Sequence, residues 1–341
     1  MPTSAPTTSV PTTSALAASA PARGRRSRLG RFLAARTGIV TSLLLIALML
    51  VAGAVLSDRF RTAGNLLNVF EQSSGLAFVS LGQTLAILTG GIDLSVGSLI
   101  SLVSVLTAGL IDGDSARTLP VVAAMLALGL GVGAINGLAV IRLRIHPLIV
   151  TLGTGAILQG ITLLYALGPV GSAPPEFDAI AYGRLFGLPA SAVLAVIAFV
   201  LVALFLRYVP FGRQIYAVGD DAHAARLMGL PHDRVIVFVY AFCGLCASLT
   251  AIYLVGRFGS GQPYQGANYT LASITPVVVG GTLLSGGRGG VIGTLIGAYL
   301  ISLLNNLLNF MDVSSHVQLI VQGLIIILAV SVYIEKRRSI A

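Results

Sequence analysis

Residues 90–101 of this 341-residue chain read GGIDLSVGSLIS, which sets a carboxylate, Asp93, between paired glycines and a serine in strongly apolar surroundings. A carboxylate at the centre of a bilayer costs roughly 2.5–3.5 kcal/mol on insertion scales, so such a residue needs a reason to be there. Two roles fit. Gly90 and Gly91 interrupt one apolar segment and a helical run opens at Leu94, so Asp93 is placed as an N-cap for donors that no water can serve. It equally suits a solute path or gate. The other candidate residues for a path are uncharged: Gln72, Gln83, Ser95, Asn136, Thr151, Thr154, Asn305 and Asn306. Amides and hydroxyls donate and accept, as a neutral polyhydroxylated solute requires, but they serve helix–helix hydrogen bonds just as well.

Other chemistries lack their groups. Proton relays and ion-coupled carriers place several ionisable residues within the bundle, whereas here only Asp93 and Glu71 qualify, the latter near an interface. A nucleophile–base pair or metal constellation for intramembrane hydrolysis is not evident. His146, His223, His232 and His316 are scattered at segment ends or in loops, so no metal site is expected. Cys243 and Cys246 form a C-x-x-C inside an apolar run, which reads as two small residues on one helical face. A P-loop needs a lysine on the phosphates, and the sole lysine is Lys336, so the chain is expected to bind no cofactor itself. If ATP and Mg drive it, a partner ATPase holds them.

The elements that would position these residues are membrane helices. The chain is 55% hydrophobic and 10% charged, where soluble domains carry about 25% charged residues. Apolar runs near the ~20 residues needed to cross a bilayer fall at 38–56, 67–90, 94–111, 119–141, 148–166, 190–208, 235–255, 269–285, 290–309 and 316–334. The expected fold is therefore an all-α polytopic membrane protein of about ten transmembrane helices. With both termini cytoplasmic, 16 of the 21 basic residues fall on the inner side, as the positive-inside rule asks. That asymmetry accounts for the net charge of +9 without a nucleic-acid partner. Residues 1–37 read as a Ser/Thr/Pro/Ala-rich disordered tract followed by a basic cytoplasmic tail. Residues 38–334 form one membrane domain, with an inner loop at 209–234, and residues 335–341 form a cytoplasmic C-terminal tail.

Internal echoes suggest two inverted five-helix halves. GGIDLSVG at 90–97 is matched by GGTLLSGG at 280–287, which gives Gly90 and Gly91 counterparts in Gly280 and Gly281. Gly129, Gly133 and Gly137 recur every fourth residue in the fourth segment, and Gly289, Gly293 and Gly297 do so in the ninth. That spacing lets helix backbones approach closely, and segments five apart run in opposite directions, as inverted repeats require. In the inner loop, DAHAARLMGL at 221–230 suits a short helix with acids before it and Arg226 late in it. It reads either as a docking element for a soluble partner or as a solvated connector.

Four stretches carry a resemblance: GQTLAILTGGIDLSVGS (82–98), HPLIVTLGT (146–154), YAVGDDAHAARLMG (216–229) and GGTLLSGGRGGVIGTLIGA (280–298). In order and spacing they resemble the monosaccharide permeases of bacterial ABC importers. The resemblance implies an inner-membrane permease that pairs with a second copy or a paralogue. It also implies alternating access driven by two cytoplasmic ATPase subunits and a periplasmic binding protein that delivers the sugar. Asp221, His223, Ala224, Ala225, Arg226 and Gly229 match the family's ATPase coupling loop, although His223 stands where an acid is usual. Tyr269-Thr270-Leu271-Ala272 replaces a family pattern that carries two acids, which suits a heterodimer whose second permease supplies them. Branched-chain amino acid permeases and ion-coupled carriers are the alternative readings.

Overall fold

The computed structural model describes residues 37–338, which leaves residues 1–36 of the expected N-terminal tail and residues 339–341 of the expected C-terminal tail outside it. The described chain is a bundle of helices. Its long members are α1 (Thr37–Leu56), α2 (Ala63–Leu88), α3 (Val96–Ile111), α4 (Ser115–Leu143), α5 (Pro147–Tyr165) and, after the seven-residue α6 (Glu176–Tyr182), α7 (Ala190–Tyr208). A two-stranded hairpin, β1 (Arg184–Leu185) with β2 (Leu188–Pro189), joins α6 to α7. There follow α8 (Pro210–Asp220), α9 (Ala222–Leu227), α10 (His232–Phe258), α11 (Tyr269–Ala272), α12 (Ile274–Val279), α13 (Val291–Phe310) and α14 (Ser315–Arg338).

Local chemistry sets the ends. The Thr62 hydroxyl accepts from Asn65 N at 3.3 Å to start α2, and the Asp114 carboxylate accepts from Ala116 N at 3.0 Å to start α4. Proline at the first position opens α5 and α8, where its missing N–H costs nothing.

Among the described residues, six helices, α1, α4, α5, α7, α10 and α13, are long and apolar enough to cross a membrane. Helix α2 is long enough at 26 residues, but polar side chains such as Asn65, Asn68, Glu71 and Gln72 line its first half. The eighth expected segment differs most. Instead of one span over 269–285, the chain makes two short helices, α11 and α12, and leaves helical geometry at Gly280. Helix α14 also continues past the expected boundary at 334 to Arg338.

Helices α2 and α10 pack together at the centre. Helix α10 also takes α4 along its length, and α2 takes α13; α3 packs on α5 and α12 on α14. Large apolar side chains on α1, α4, α5 and α7 point outward, Leu44 and Leu164 being 65% and 89% exposed. Such faces belong in lipid rather than water.

The glycine stripe of α4 works as its spacing suggests. A Cβ on Gly137 would lie 2.8 Å from Val237 Cα; Gly133 abuts Tyr240 and Ala241, and Gly129 abuts Gly244 and Ser248. The second stripe is shorter than expected: Gly293 meets Gly280 and Gly297 meets Pro276, whereas Gly289 precedes α13 and packs on Thr282. Cys243 and Cys246 are buried and form no disulfide, and Cys243 Cα and Cys246 Cβ pack against Gly82 on α2.

Candidate functional site

Between α2 and α3 the chain is non-helical from Gly91 to Ser95. Gly90 makes the turn at φ +79°, a conformation that costs an L side chain about 1–2 kcal/mol. The polar side chains around this break form one buried network. Gln83, with its amide oriented as its neighbours require, pairs with both backbone groups of Asp93 at 3.2 Å. Asp93 Oδ1 accepts from Ser95 N at 2.9 Å and from the Ser95 hydroxyl at 2.6 Å. Asn136 Nδ2 on α4 donates to Ser95 Oγ at 2.9 Å, and Thr154 Oγ1 on α5 donates to Asn136 Oδ1 at 2.7 Å. Thr151 Oγ1 accepts from Leu94 N at 3.1 Å.

Six of the nine expected path residues therefore meet at one place. Gln83, Asp93, Ser95, Asn136 and Thr151 are buried. Asp93, Ser95 and Asn136 bond one another, Gln83 serves the Asp93 backbone and Thr151 the backbone at Ile92, Leu94 and Pro147, so in this conformation they hold backbone. Each interhelical hydrogen bond in a membrane contributes about 0.6 kcal/mol on average, while an orphaned buried group costs ~1–3 kcal/mol. The break is thus held more by the cost of undoing it than by the strength of any one bond.

The capping role expected of Asp93 needs correction. Helix α3 begins at Val96 with Ser95 as its N-cap residue. Asp93 instead closes a local turn by taking the N–H two residues ahead, a habit of short acidic side chains, while the Leu94 N–H goes to Thr151.

The other three candidates lie apart from the network. Asn306 exchanges hydrogen bonds with Asn65 at 3.0 and 3.1 Å, and Asn305 accepts from Gln322 at 3.1 Å. Gln72 is exposed and donates to Asn68 at 3.0 Å. Glu71, in the first half of α2 and away from the break, is buried between Arg257 (3.6 Å) and Arg184 (3.9 Å).

The two glycine motifs echoed in the sequence touch in space. Gly287 N donates to Leu88 O at 3.0 Å, and a Cβ on Gly286 would lie 2.7 Å from Gly90 N. A third partner, which the sequence reading missed, completes the junction. Gly219 near the end of α8 sits so close that a methyl there would be 2.8 Å from Gly287 N and 2.9 Å from Leu88 C. Tyr216, also on α8, donates to Gly289 O at 3.3 Å, and burial raises its phenol above the ordinary value, which keeps it a donor. A glycine inside a polar helix was the available signal.

From this junction α8 leads directly into α9. The Asp221 carboxylate caps α9 by accepting from His223 N at 2.8 Å and Ala224 N at 2.9 Å. Ala225 is buried against the bundle, whereas Leu227 and Met228 are 76% and 79% exposed. Arg226 lies on the His232 ring. Gly229 has φ +73° with open space where a Cβ would go, so its glycine answers to backbone conformation and not to crowding.

Comparison with known proteins agrees in kind. Residues 65–330 match the family described as "Branched-chain amino acid transport system / permease component". The ribose import permease protein of Escherichia coli (strain K12) is 40% identical over 319 residues, 92% of this chain and 98% of that protein. The ribose import permease protein of Bacillus subtilis (strain 168) is 38% identical, covering 86% of this chain and 91% of that one. The D-allose transport system permease protein of E. coli K12 is 32% identical, covering 85% and 90%. No solved structure matches the chain.

Proposed function

The chain belongs to this family of transport permease components, and from that premise we propose that it is the membrane-spanning subunit of an ATP-driven importer that passes a monosaccharide through the bacterial inner membrane. The observation that carries the substrate class is the 40% identity to a ribose import permease along 92% of the chain. In this reading it is a transport subunit and not an enzyme. ATP and Mg are used by two cytoplasmic ATPase subunits, a periplasmic protein delivers the sugar, and a second permease copy or paralogue completes the path.

The chain crosses the membrane ten times, in two inverted halves with both termini cytoplasmic, and α11–α12 form the shortest crossing element. The packing of α4 on α10 and of α13 on α2 supports the inversion, because the two pairs exchange under a five-segment shift. Residues 209–234 are the coupling loop. ATP-driven closure enters through Leu227 and Met228 and reaches both glycine breaks through the contact at Gly219. The network of Gln83, Asp93, Ser95, Asn136, Thr151 and Thr154 shapes the wall of the path, with Gln72, Asn305 and Asn306 toward its outer end.

The test is co-purification of the tagged chain from its own membranes in mild detergent, followed by uptake in proteoliposomes supplied with its ATPase and binding protein. Recovery of an ATPase subunit and ATP-dependent sugar uptake are expected. Uptake that follows a proton gradient without ATP would overturn the reading. Uptake competed by leucine and not by ribose would favour the amino acid reading that the family description suggests.

A further inference from the structure

A cavity of about 850 Å³ opens beside the first break, apart from the buried network, between the ends of α2, α4, α5, α9 and α10. Its lining carries two guanidinium groups, Arg144 and Arg226, and two imidazole rings, His146 and His232, with Asp233 as the one acid. That acid is engaged, since Asp233 Oδ1 lies 2.9 Å from His232 Nδ1. Arg226 Nη2 rests 3.1 Å from the same ring. His146 Nδ1 accepts from Leu148 N at 3.3 Å, which assigns the ring proton to Nε2 as a donor. Helices α5 and α10 both begin at this cavity, and α10 has no side-chain cap. Their positive ends therefore add to the two guanidinium groups.

An independent observation points to a ligand. Tyr240 lines the cavity at 1% exposure, and its hydroxyl has no hydrogen-bond partner. Buried polar groups are almost always paired, so an orphan hydroxyl beside a cationic cavity calls for an acceptor. Arginine forks match the oxygens of a phosphate in geometry as well as charge. A neutral sugar would need neither guanidinium.

We propose that this cavity is a binding site for a phosphomonoester dianion, held by Arg144, Arg226, the His146 Nε2–H and the Tyr240 hydroxyl. Phosphorylation is the class of reaction that gives a monosaccharide this chemistry, so a sugar phosphate is the soluble ligand that fits; that clause alone rests on the import reading. A bound dianion ties α9, through Arg226, to the end of α4, through Arg144, and restrains the coupling segment.

The experiment is calorimetric titration of the purified full-length chain in detergent with inorganic phosphate, ribose 5-phosphate and, as a lipid arm, dioctanoyl phosphatidate; ribose is the control. Saturable binding of ribose 5-phosphate below about 1 mM is expected, weakened tenfold or more by Arg226→Gln and by Arg144→Asn, and unchanged by Arg207→Gln. Asparagine is chosen at Arg144 because φ there is +54°, a region it tolerates. Tyr240→Phe should weaken binding several-fold and leave the melting temperature of the ligand-free protein equal or higher, since it removes an orphan group. Binding of phosphatidate alone, lost in the same variants, assigns the site to a lipid headgroup. Failure of all three phosphate probes to saturate, or equal weakening by Arg207→Gln, overturns the proposal. Binding in a chain that imports no sugar would refute the import reading and leave the site standing.

Discussion

Replacing Gly219 with alanine adds one methyl group at the point where α8 meets both glycine breaks. Gly219 lies within a helix, so alanine suits its backbone and the effect is purely steric. The new Cβ would lie 2.8 Å from Gly287 N and 2.9 Å from Leu88 C, with Leu88 O closer still. Ordinary contact begins near 3.4 Å, so α8 must withdraw or the breaks must part by well over the roughly 0.6 Å that Gly287 N alone requires, because Leu88 O is nearer. Parting them strains the hydrogen bond from Gly287 N to Leu88 O, worth about 0.5–1.5 kcal/mol, and overpacking adds about 1–3 kcal/mol. A total near 2–4 kcal/mol would shift a two-state equilibrium by about 30-fold or more. The assay is sugar uptake and ATP hydrolysis in proteoliposomes, with Gly131→Ala as control because a Cβ there meets open space. Gly219→Ala should insert normally and retain hydrolysis while uptake drops at least tenfold. Wild-type uptake from a normally inserted Gly219→Ala protein would refute the reasoning.

Other perturbations probe separate parts of the molecule. Asp93→Asn keeps an acceptor for Ser95 and should accumulate in the membrane, whereas Asp93→Leu orphans two donors at ~1–3 kcal/mol each and should fail to; equal levels of the two on immunoblots would remove the turn-closing role. Leu227→Asp leaves the fold untouched, since residue 227 is exposed, but should reduce ATPase co-purification tenfold, in line with about 1.5–3 kcal/mol for a buried leucine. Unchanged recovery of the ATPase would move the docking surface elsewhere. Glu71→Gln strands Arg257 and Arg184 and should lower the melting temperature in detergent, with part of the loss restored in the double variant Glu71→Gln/Arg257→Gln. An additive double variant would mean that the pair is not coupled.

What the sequence made legible is what periodicity and local chemistry control. Six long apolar helices, the α4 stripe at Gly129, Gly133 and Gly137, and the short helix that follows Asp221 all follow from spacing or from local composition. Less legible was anything that depends on where a helix stops. The run at 269–285 is interrupted by Pro276, Gly280 and Gly281, but the interruption alone does not say where the helix ends; it ends at Gly280, which packs so closely on Gly293 of α13 that no Cβ would fit. Gln83, Asn136 and Thr154 could each be named as polar and in-span, but their union depends on three helices crossing at Ser95. Gly229 shows two demands meeting at one residue. Its place in the coupling motif suggests a docking surface, while φ +73° shows a backbone demand, so a bulky substitution there tests strain along with docking.

The brevity of the segment Tyr269–Val279 also has a consequence for biogenesis. Eleven residues of helix rise about 16 Å, roughly half of the ~30 Å hydrocarbon core. An insertion machine that reads segments one at a time has little reason to release this one into lipid, where its end carbonyls would go unserved. Its partners come from both sides in time: the Ser42 hydroxyl, made early, donates to Val279 O at 3.1 Å. The close face of α13 at Gly293 and Gly297 is made later. The segment's packing partners are therefore complete only once α13 has been made.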